Sequence, residues 1–470
     1  MAGITGYGAK IPYFRLEKKK IGEAWGTYGA GEKAVANHDE DSVSLAVAAV
    51  VNCGKGALDA DCLYLATTTG PYGEKGSAST IAMALGLKKD VRTMDITGSL
   101  KGGMSGMLTG LEQVESGIKT LVAMSDCRLG APQGPYEQVL GDGAAAFVLG
   151  NDDIIAELEA SESANQEVMA YWRSSTDRFL QTGEDRFAST KYVEILMAAM
   201  GNFAKQTGAT IKDFDKVVLD APSAKLHKLT ARMLKVSPEQ LVKGMYDSIG
   251  HTGCANVGLM LVSALSNAEP GERILVAAFG EGCHIAAFKV TEKIVSFKPK
   301  RPLKEQLANK DNSVRYTDYL KWRGIIETEP PRRPAVPKPS QPALYRGYDQ
   351  NLGFIGSRCK KCGTPQFPKQ RVCVHCRAKD EMEDYSFKNK TARLATYTVD
   401  YLAASVAPPT VIGVVDFQGG GRMLAEVTDC RPEQMRIGME LDFCFRRLQV
   451  ADGISNYFWK AVPKRGGTND

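Results

Sequence analysis

A strand, a tight turn and a glycine-bearing helix follow one another between residues 91 and 117, and this order constrains the fold strongly. Apolar residues alternate up to Met94, and after the turn they recur at helical spacing until Gly117. Each glycine inside a helix costs about 1 kcal/mol relative to alanine, so retained glycines indicate close backbone packing. Four occur here: Gly102, Gly103, Gly106 and Gly110. We therefore expect a buried helix whose positive end would stabilise a thiolate held in the turn.

Strand and helix signals alternate through residues 1–165 and again through 166–292. In the first stretch, Asp41 and Ser42 are typical of a helix cap, and residues 63–66 are typical of a buried strand. In the second, Tyr192 begins a helical pattern, and residues 274–290 suggest a closing hairpin. This alternation predicts an α/β domain with a largely parallel sheet covered by helices.

The turn segment resembles the active-site segment of 3-hydroxy-3-methylglutaryl-CoA synthases, a family within the thiolase superfamily. Matching residues are Asp95, Lys101, Gly102 and Gly103. The position of the nucleophilic cysteine is Leu100, and leucine cannot form a thioester. An alignment shifted by one residue would instead make Ser99 the side chain of the turn.

Three more segments resemble this family in the same order along the chain. They are Ser125 to Pro132, Gly141 to Ala146, and Gly280-Glu281-Gly282. The resemblance implies the duplicated five-layer thiolase fold, with residues 1–165 and 166–292 as its two halves. It also implies dimerisation through these halves.

The family's trio of catalytic residues, Glu, Cys and His, looks replaced throughout. Their positions correspond to Thr68, Leu100 and Asp220. By resemblance, Lys225 stands where the family places a lysine, and we expect Lys225 and Lys101 to contact CoA or acyl-CoA.

Compared with the synthase family, the chain gains one polar residue, the histidine of the segment Gly250-His251-Thr252. This segment resembles the Gly-His-Thr or Gly-His-Pro segment of ketoacyl synthases and thiolases. A histidine at this turn would donate to an enolate oxygen, a preorganised electrostatic role. Asp220 or Tyr246 would then move the proton. The alternative is that His251 is a buried histidine with satisfied hydrogen bonds.

Composition changes in residues 293–345. A basic run follows Phe297, and six prolines lie between Pro330 and Pro342. Because prolines stay extended and cannot complete a sheet ladder, we expect a semi-rigid linker. The basic run is either a solvated face or lies near a CoA entrance.

Two Cys-x-x-Cys pairs follow in residues 346–384, ten residues apart. Four thiolates at this spacing surround one ion tetrahedrally, and Zn²⁺ prefers that ligand set. The predicted ligands of this structural zinc are Cys359, Cys362, Cys373 and Cys376. His375 lies inside the second pair and is expected to be a bystander rather than a ligand.

Residues 385–470 contain several short strand patterns separated by glycine and proline turns, which suits a small β-barrel. With the cysteine pairs, they resemble the rubredoxin-like zinc-ribbon/OB-fold proteins that accompany acyl-CoA thiolases and synthases. That resemblance implies acyl-CoA binding or docking to a separate thiolase subunit. An OB fold can also bind nucleic acid, but we expect the barrel's aromatic residues to fill its core or line an acyl-CoA path rather than stack bases.

The bulk composition excludes several classes of protein. A net charge of +5 over 470 residues gives no argument for nucleic acid, and no apolar run is long enough to span a membrane. The N-terminus lacks the features of a signal peptide. Eleven cysteines, four at metal spacing and the rest scattered, indicate reduced thiols and a cytoplasmic protein.

Two hypotheses about function stay open. The first is a catalytically silent scaffold subunit that holds acyl-CoA or docks an active thiolase. The second is an enzyme that performs aldol or retro-aldol chemistry on a 3-hydroxyacyl-CoA, which needs proton transfer and enolate stabilisation but no covalent intermediate. Ordinary synthase activity with carbon–carbon bond formation is a third alternative, which the missing thiol disfavours.

Overall fold

A computed structural model of the protein describes residues 1–329 and 339–465, apart from the side chain of Lys55. The chain divides into two compact units. The first unit comprises Met1–Ala36, Asp41–Ala82 and Leu87–Tyr316, and the second comprises Asn37–Glu40, Met83–Gly86 and Thr317–Asp470. In the described part of the chain, no helix is both long enough and apolar enough to cross a membrane.

The first unit alternates strands with helices. Its strands are β1 (Gly3–Lys10), β2 (Phe14–Glu17), β3 (Glu32–Val35), β4 (Cys62–Thr67), β5 (Arg92–Thr97), β6 (Thr120–Cys127), β7 (Asp142–Gly150), β8 (Ala156–Asn165), β9 (Tyr171–Trp172), β10 (Gln181–Thr182), β11 (Lys216–Leu219), β12 (Arg273–Gly280) and β13 (Gly282–Val290). The helices up to its boundary are α1 (Lys18–Trp25), α2 (Ser42–Asn52), α3 (Ala78–Leu85), α4 (Gly102–Val114), α5 (Asp185–Thr207), α6 (Ala224–Met233), α7 (Ala255–Ser266) and α8 (Leu303–Ala308).

Nine of these strands form one sheet in the order β11-β12-β13-β8-β1-β7-β6-β4-β5. The sheet is a duplication about the pairing of β1 with β8. Outward from that joint, the first half runs β1, β7, β6, β4, β5, and the second runs β8, β13, β12, β11. Leu241 forms an isolated parallel bridge to Val217 at the place equivalent to β5. The predicted two-fold repeat is therefore present in the topology.

The sheet is mixed, so the prediction of a largely parallel sheet was wrong. Among the described strands of this nine-stranded sheet, parallel pairing is confined to β4 with β5, β4 with β6, and β11 with β12. The strands β7 and β13 return beside β6 and β12 without a helical crossover, which makes the neighbouring pairs antiparallel.

Helices α4 and α7 pack against each other, and between them they contact strands of both half-sheets. On the outer faces, α2 packs on β1, β6 and β7, while α5 packs on β8, β12 and β13. This gives the five layers that the resemblance implied. A Cβ at Gly103 would lie 2.6 Å from the Met124 sulfur and 3.0 Å from the Cys254 carbonyl, so close packing explains this glycine in α4.

The described residues of the second unit form a small three-stranded sheet and a closed five-stranded barrel. Its elements are α9 (Tyr316–Trp322), α10 (Gln341–Asn351), β14 (Ile355–Cys359), β15 (Pro365–Gln366), β16 (Met382–Ser386), β17 (Ala392–Asp400), β18 (Thr410–Phe417), β19 (Arg422–Val427), β20 (Glu440–Ala451) and β21 (Ile454–Pro463). The barrel order is β17-β18-β19-β21-β20, and the parallel pairing of Val427 with Ala461 joins β19 to β21.

Aromatic side chains fill the interior of the second unit. Phe354 is fully buried and stacks on Trp459 with ring centroids 5.5 Å apart. The barrel residues Phe445, Tyr457 and Trp459 are all buried. These rings are therefore not displayed for stacking on bases.

The segment predicted as a linker contains regular structure. Helices α8 and α9 lie within residues 293–345, and Leu303 of α8 is buried in the core of the first unit. Most of the proline-rich run, residues 330–338, lies outside the described residues.

Candidate functional site

A cavity of about 150 Å³ lies beside the turn between β5 and α4. Its wall includes Thr68, Leu100, Arg128, Arg173, Phe279 and Glu281. Several apolar residues between Val168 and Leu180 complete it. The cavity therefore lies where the sequence places the nucleophile turn, and its wall carries both charged and apolar groups.

Leu100, rather than Ser99, faces this cavity. The Ser99 hydroxyl donates a 2.6 Å hydrogen bond to the Glu281 carboxylate, and the Lys101 ammonium donates to the Glu281 backbone carbonyl. A Cβ at Gly280 would lie 2.9 Å from the Ser99 oxygen, so the Gly-x-Gly turn packs directly on the β5–α4 turn. The alternative in which Ser99 is the reactive side chain therefore has no support from this geometry.

The Asp126 carboxylate organises the neighbouring turn. It accepts hydrogen bonds from the hydroxyls of Thr67, Thr68 and Thr69 and from the backbone N–H groups of Thr68 and Cys254, at 2.7 to 3.1 Å. Thr68, which the resemblance places at the family's glutamate position, thus donates its hydroxyl proton to Asp126. Sequence reasoning placed Asp126 in a family motif but gave it no role.

Asp220 and His251 lie together, as the sequence hypothesis requires. The His251 Nε2 is 3.8 Å from an Asp220 carboxylate oxygen, which also accepts a 2.7 Å hydrogen bond from Asn256. The Gly253 N–H donates to the His251 Nδ1 at 3.1 Å, so the proton of the neutral ring is on Nε2. Burial raises the pKa of Asp220 to about 6 and lowers the pKa of His251 to about 3. The pair is thus a carboxylate and a neutral imidazole at pH 7.

Tyr246 completes this cluster but has its own partner. Its hydroxyl donates a 2.8 Å hydrogen bond to the Ala221 carbonyl, and burial raises its pKa. The side chains of Asp220, Tyr246 and His251 are nearly completely buried, and none of the three lines the cavity. A substrate in the cavity would therefore not touch these three side chains directly. Their catalytic roles stay predictions.

Arg128 is the residue that links the cavity to this cluster, and sequence reasoning missed it. It follows β6 directly, is 8% exposed and lines the cavity. After burial, its positive charge is the next cause that lowers the pKa of His251, and it also lowers the pKa of Asp220. An arginine beside Asp126 inside a family motif was the available sequence signal.

The two lysines expected to contact CoA occupy different places. Lys101 is held by Glu281 beside the cavity. Lys225 is exposed in the first turn of α6 and does not line the cavity. CoA binding by either residue stays a prediction.

The two cysteines near the site are buried thiols. The Cys254 thiol donates to the Ala66 carbonyl at 3.1 Å, and burial raises its pKa. Burial also raises the pKa of the Cys283 thiol, to about 12. Among the described residues that line the cavity, none is a cysteine. A thiolate nucleophile is therefore missing from the cavity wall.

The four predicted zinc ligands converge in the second unit. All four sulfur atoms lie within 4.8 Å of one another, and the Cys359–Cys376 and Cys362–Cys373 sulfurs are 3.6 and 3.5 Å apart. Zn–S bonds of about 2.3 Å place tetrahedral sulfurs just under 4 Å apart, so the set fits Zn²⁺. The His375 ring is not part of the group.

Three protein-family models match parts of the chain. The C-terminal domain of 3-oxoacyl-[acyl-carrier-protein] synthase III matches residues 204–291. The ChsH2 rubredoxin-like zinc ribbon matches residues 352–383, and the ChsH2 C-terminal OB-fold domain matches residues 388–446. The zinc ribbon and OB fold predicted from the sequence are thereby confirmed.

Curated relatives match about two thirds of the chain. The hydroxymethylglutaryl-CoA synthase of Methanopyrus kandleri is 31% identical over 338 residues, which is 68% of this chain and 97% of the relative. That of Methanocaldococcus jannaschii is 30% identical over 344 residues, 70% of this chain and 100% of the relative.

Solved structures share the fold at lower identity. An HMG-CoA synthase complexed with CoA superposes with a TM-score of 0.64 at 19% identity, covering 72% of this chain and 95% of that one. The HMG synthase of the curacin biosynthetic pathway, in complex with holo donor-ACP, superposes with a TM-score of 0.61 at 20% identity, covering 68% and 88%. The predicted thiolase-like fold is confirmed by these likenesses.

Proposed function

We propose, from the premise that the chain belongs to the hydroxymethylglutaryl-CoA synthase family, that its first unit binds acyl-CoA without forming a covalent acyl-enzyme. The protein would act as a non-catalytic or scaffold subunit of an acyl-CoA thiolase or synthase complex. The observation that carries this proposal is Leu100 in the wall of the cavity. The resemblance of the turn segment places the family's nucleophile at this residue. Covalent acyl transfer needs an attacking atom there, and a leucine side chain offers none.

The other replaced positions support the same conclusion. Thr68 donates its hydroxyl proton to Asp126 and does not offer the carboxyl group of a glutamate. Asp220 is enclosed with His251 away from the cavity wall. By the resemblance, the groups that would turn over a bound thioester are therefore replaced or lie away from the cavity wall.

Acyl-CoA is the proposed ligand because one structural neighbour is an HMG-CoA synthase complexed with CoA. A CoA phosphate needs cations near the cavity mouth, and the exposed Lys225 is our candidate. Zn²⁺ would be bound by the four cysteines of the second unit and would hold the ribbon together without taking part in chemistry.

Two protein partners are part of the proposal. A second copy would pair through β5, which lies at the sheet edge with largely exposed residues and has β4 as its neighbour in the described chain. An edge strand offers unpaired N–H and C=O groups to another strand. A separate thiolase subunit would dock on the zinc-ribbon and OB-fold unit, in the cytoplasm.

A second candidate function rests on a specific observation. The Asp220 carboxyl, with its pKa raised to about 6, lies beside a neutral His251, an arrangement suited to proton transfer near neutral pH. Aldol or retro-aldol cleavage of a 3-hydroxyacyl-CoA needs such a base and an enolate stabiliser. A substrate that reached this cluster past Arg128 would make the protein a cysteine-independent lyase.

The test is an assay of the purified full-length chain, alone and with a co-purified partner. We expect acyl-CoA to bind without cleavage of 3-hydroxyacyl-CoA by the chain alone, and His251→Ala to leave acyl-CoA binding and complex formation unchanged. Cleavage by the chain alone that His251→Ala abolishes would replace the scaffold proposal with the lyase. Failure of any acyl-CoA to bind would contradict both.

A further inference from the structure

The zinc ribbon carries cations that no acidic residue balances. Between residues 358 and 379 the chain has seven lysines and arginines and no aspartate or glutamate. Three of these cations form ion pairs with the segment that follows: Arg358 with Glu383, Lys369 with Asp384 and Arg371 with Asp380. In the part of the chain that the structure describes, the other four are exposed and make no ion pair: Lys360, Lys361, Arg377 and Lys379.

These four cations lie around the metal site. Lys360 and Lys361 form the middle of the first Cys-x-x-Cys turn, and Arg377 directly follows the second. The four cysteine sulfurs lie within 4.8 Å of one another, so the two turns are neighbours. Lys379 forms an isolated bridge with Val372, just before the second turn. Zn²⁺ with four thiolates has a net charge of roughly −2, which the four cations exceed.

Arg377 occupies a backbone conformation that favours glycine. In the first turn, the residue after the second cysteine is Gly363, with a φ of 75°. The equivalent residue of the second turn is Arg377, with a φ of 63°. A residue with a Cβ is strained in this left-handed region, and strained residues cluster at functional sites. Since no ion pair within the described chain compensates for this strain, the arginine points to a partner outside it.

Two valines give the same surface an apolar part. Val372 is 43% exposed and Val374 is 61% exposed. An acidic protein segment with apolar residues can cover the valines and pair with the cations, whereas a nucleic acid would place charged phosphates against the valines. Stacking on bases also needs exposed aromatic rings, and the large rings of the second unit such as Phe354 and Trp459 are buried.

We propose that this surface, the knuckle face, binds an acidic and partly apolar segment of a partner protein. It comprises Lys360, Lys361, Val372, Val374, Arg377 and Lys379. The inference rests on the proposed function, in which a separate subunit docks on the second unit. It adds the face that is used and the chemistry of the segment that binds there.

The probe is a fluorescein-labelled peptide of glutamate and leucine, titrated with the zinc-loaded full-length chain and followed by fluorescence anisotropy. We expect binding that weakens as sodium chloride rises from about 50 to about 300 mM, because salt screens exposed charges. Lys361→Glu should weaken binding at least about fivefold, since it replaces an attraction with a repulsion. Lys212→Glu is the matched control, because it reverses an exposed lysine of the first unit and should leave the affinity unchanged.

Arg377 allows binding to be separated from folding. Arg377→Gly should weaken peptide binding while unfolding at or above the temperature of the wild-type chain, because glycine removes the backbone strain. Arg377→Ala should weaken binding equally but unfold at a lower temperature than Arg377→Gly, since alanine keeps the strain. An Arg377→Gly variant that loses zinc or unfolds earlier than wild type would assign the arginine to the stability of the ribbon and overturn its role in docking.

The remaining outcomes distinguish this inference from the proposed function. No peptide binding, affinity that Lys361→Glu leaves unchanged, or tighter binding of a single-stranded oligothymidine than of the peptide would overturn the acidic-segment site. A co-purified subunit that binds wild type and Lys361→Glu equally would leave the proposed docking in place and refute the knuckle face. Peptide binding to the knuckle face, in a chain with which no subunit co-purifies, would support the face and contradict the proposed subunit.

Discussion

Leu100 is the residue on which the proposed loss of covalent chemistry depends. The strand, the turn and the glycine-bearing helix around it are all present, and the leucine side chain forms part of an apolar wall. The sequence could predict its location because Asp95 and Lys101 to Gly103 fix the alignment on both sides. It could not predict Arg128 or Asn256, whose roles depend on contacts between segments far apart in the chain.

Restoring a thiol at this position tests the placement of residue 100. We predict that Leu100→Cys creates one cysteine that alkylating reagents modify readily, because the cavity is accessible and the start of α4 stabilises a thiolate. Peptide mass spectrometry after mild iodoacetamide treatment should find this adduct in the variant at residue 100. The buried Cys254 and Cys283 serve as internal controls that should stay unmodified. An unreactive residue 100 would contradict the placement.

Asp39 shows how a buried carboxylate makes stability depend on pH. Burial favours its neutral form, but Arg446 and Lys460, each 3.0 Å away, lower its pKa well below the ordinary value. A depressed folded-state pKa contributes stability above the unfolded value of about 3.9, and this contribution is lost as pH falls toward the folded pKa. The ion cluster therefore stabilises the second unit at neutral pH and fails in acid.

We predict that Asp39→Asn lowers the unfolding free energy of the second unit by about 3 kcal/mol or more at pH 7, because it leaves Arg446 and Lys460 short of a carboxylate. The difference from wild type should shrink below about pH 4. Denaturant titrations at several pH values measure it. Asp416→Asn is the matched control, since its exposed pair with Arg422 should contribute about 1 kcal/mol at most. A deficit independent of pH would contradict the electrostatic account.

At the scale of single elements, helix α4 contains glycines that lower its helix propensity but allow it to pack closely on its neighbours. We predict that Gly103→Ala destabilises the first unit although alanine is the better helix former, because its Cβ would lie 2.6 Å from the Met124 sulfur. Gly201→Ala in α5 is the control, since a Cβ there meets nothing within 4 Å, and it should stabilise by up to about 1 kcal/mol. The change in stability of both variants is measured by thermal unfolding. A Gly103→Ala variant that is more stable than wild type would contradict the close packing of α4.

The ribbon formed by β14, β15 and β16 depends on its metal ion. We predict close to one zinc per chain by elemental analysis, and loss of the second unit's structure on chelation while the first unit stays folded. Cys362→Ser should lose the zinc, whereas Cys430→Ser, which changes a cysteine outside the group, should retain it. A zinc-free chain with an intact ribbon would contradict the ligand set.

At the scale of the whole molecule, the order of the motifs along the chain predicted more of the fold than any single motif did. The duplicated fold, the zinc ribbon and the barrel follow from periodicity, cysteine spacing and the family resemblance. The hairpin of β12 and β13 was predicted and is present, whereas the antiparallel pairing of β7 with β6 was not predicted, because a strand pattern does not state direction. The order of the barrel strands could not be predicted, because the barrel is closed by pairing between distant residues such as Val427 and Ala461.

The helices α8 and α9 were missed for a related reason. Charged and proline residues surround them, so composition indicated a linker, yet Leu303 is buried in the first unit's core. Tyr319 and Leu320 of α9 are buried as well. Such short helices are ordered by tertiary packing of their apolar residues, and this packing cannot be read from local composition. Proteins of this family with similar composition after the second half of the fold should be examined for the same helices.

The central claim, a thioester site without covalent acyl transfer, is tested most directly by intact-protein mass spectrometry after the full-length chain is mixed with acetyl-CoA and quenched in acid. The account predicts that the wild-type chain carries no acetyl group, and that Leu100→Cys, run in parallel, shows whether the conditions trap a thioester. An acetyl adduct on the wild-type chain, at any residue lining the cavity, would contradict the account.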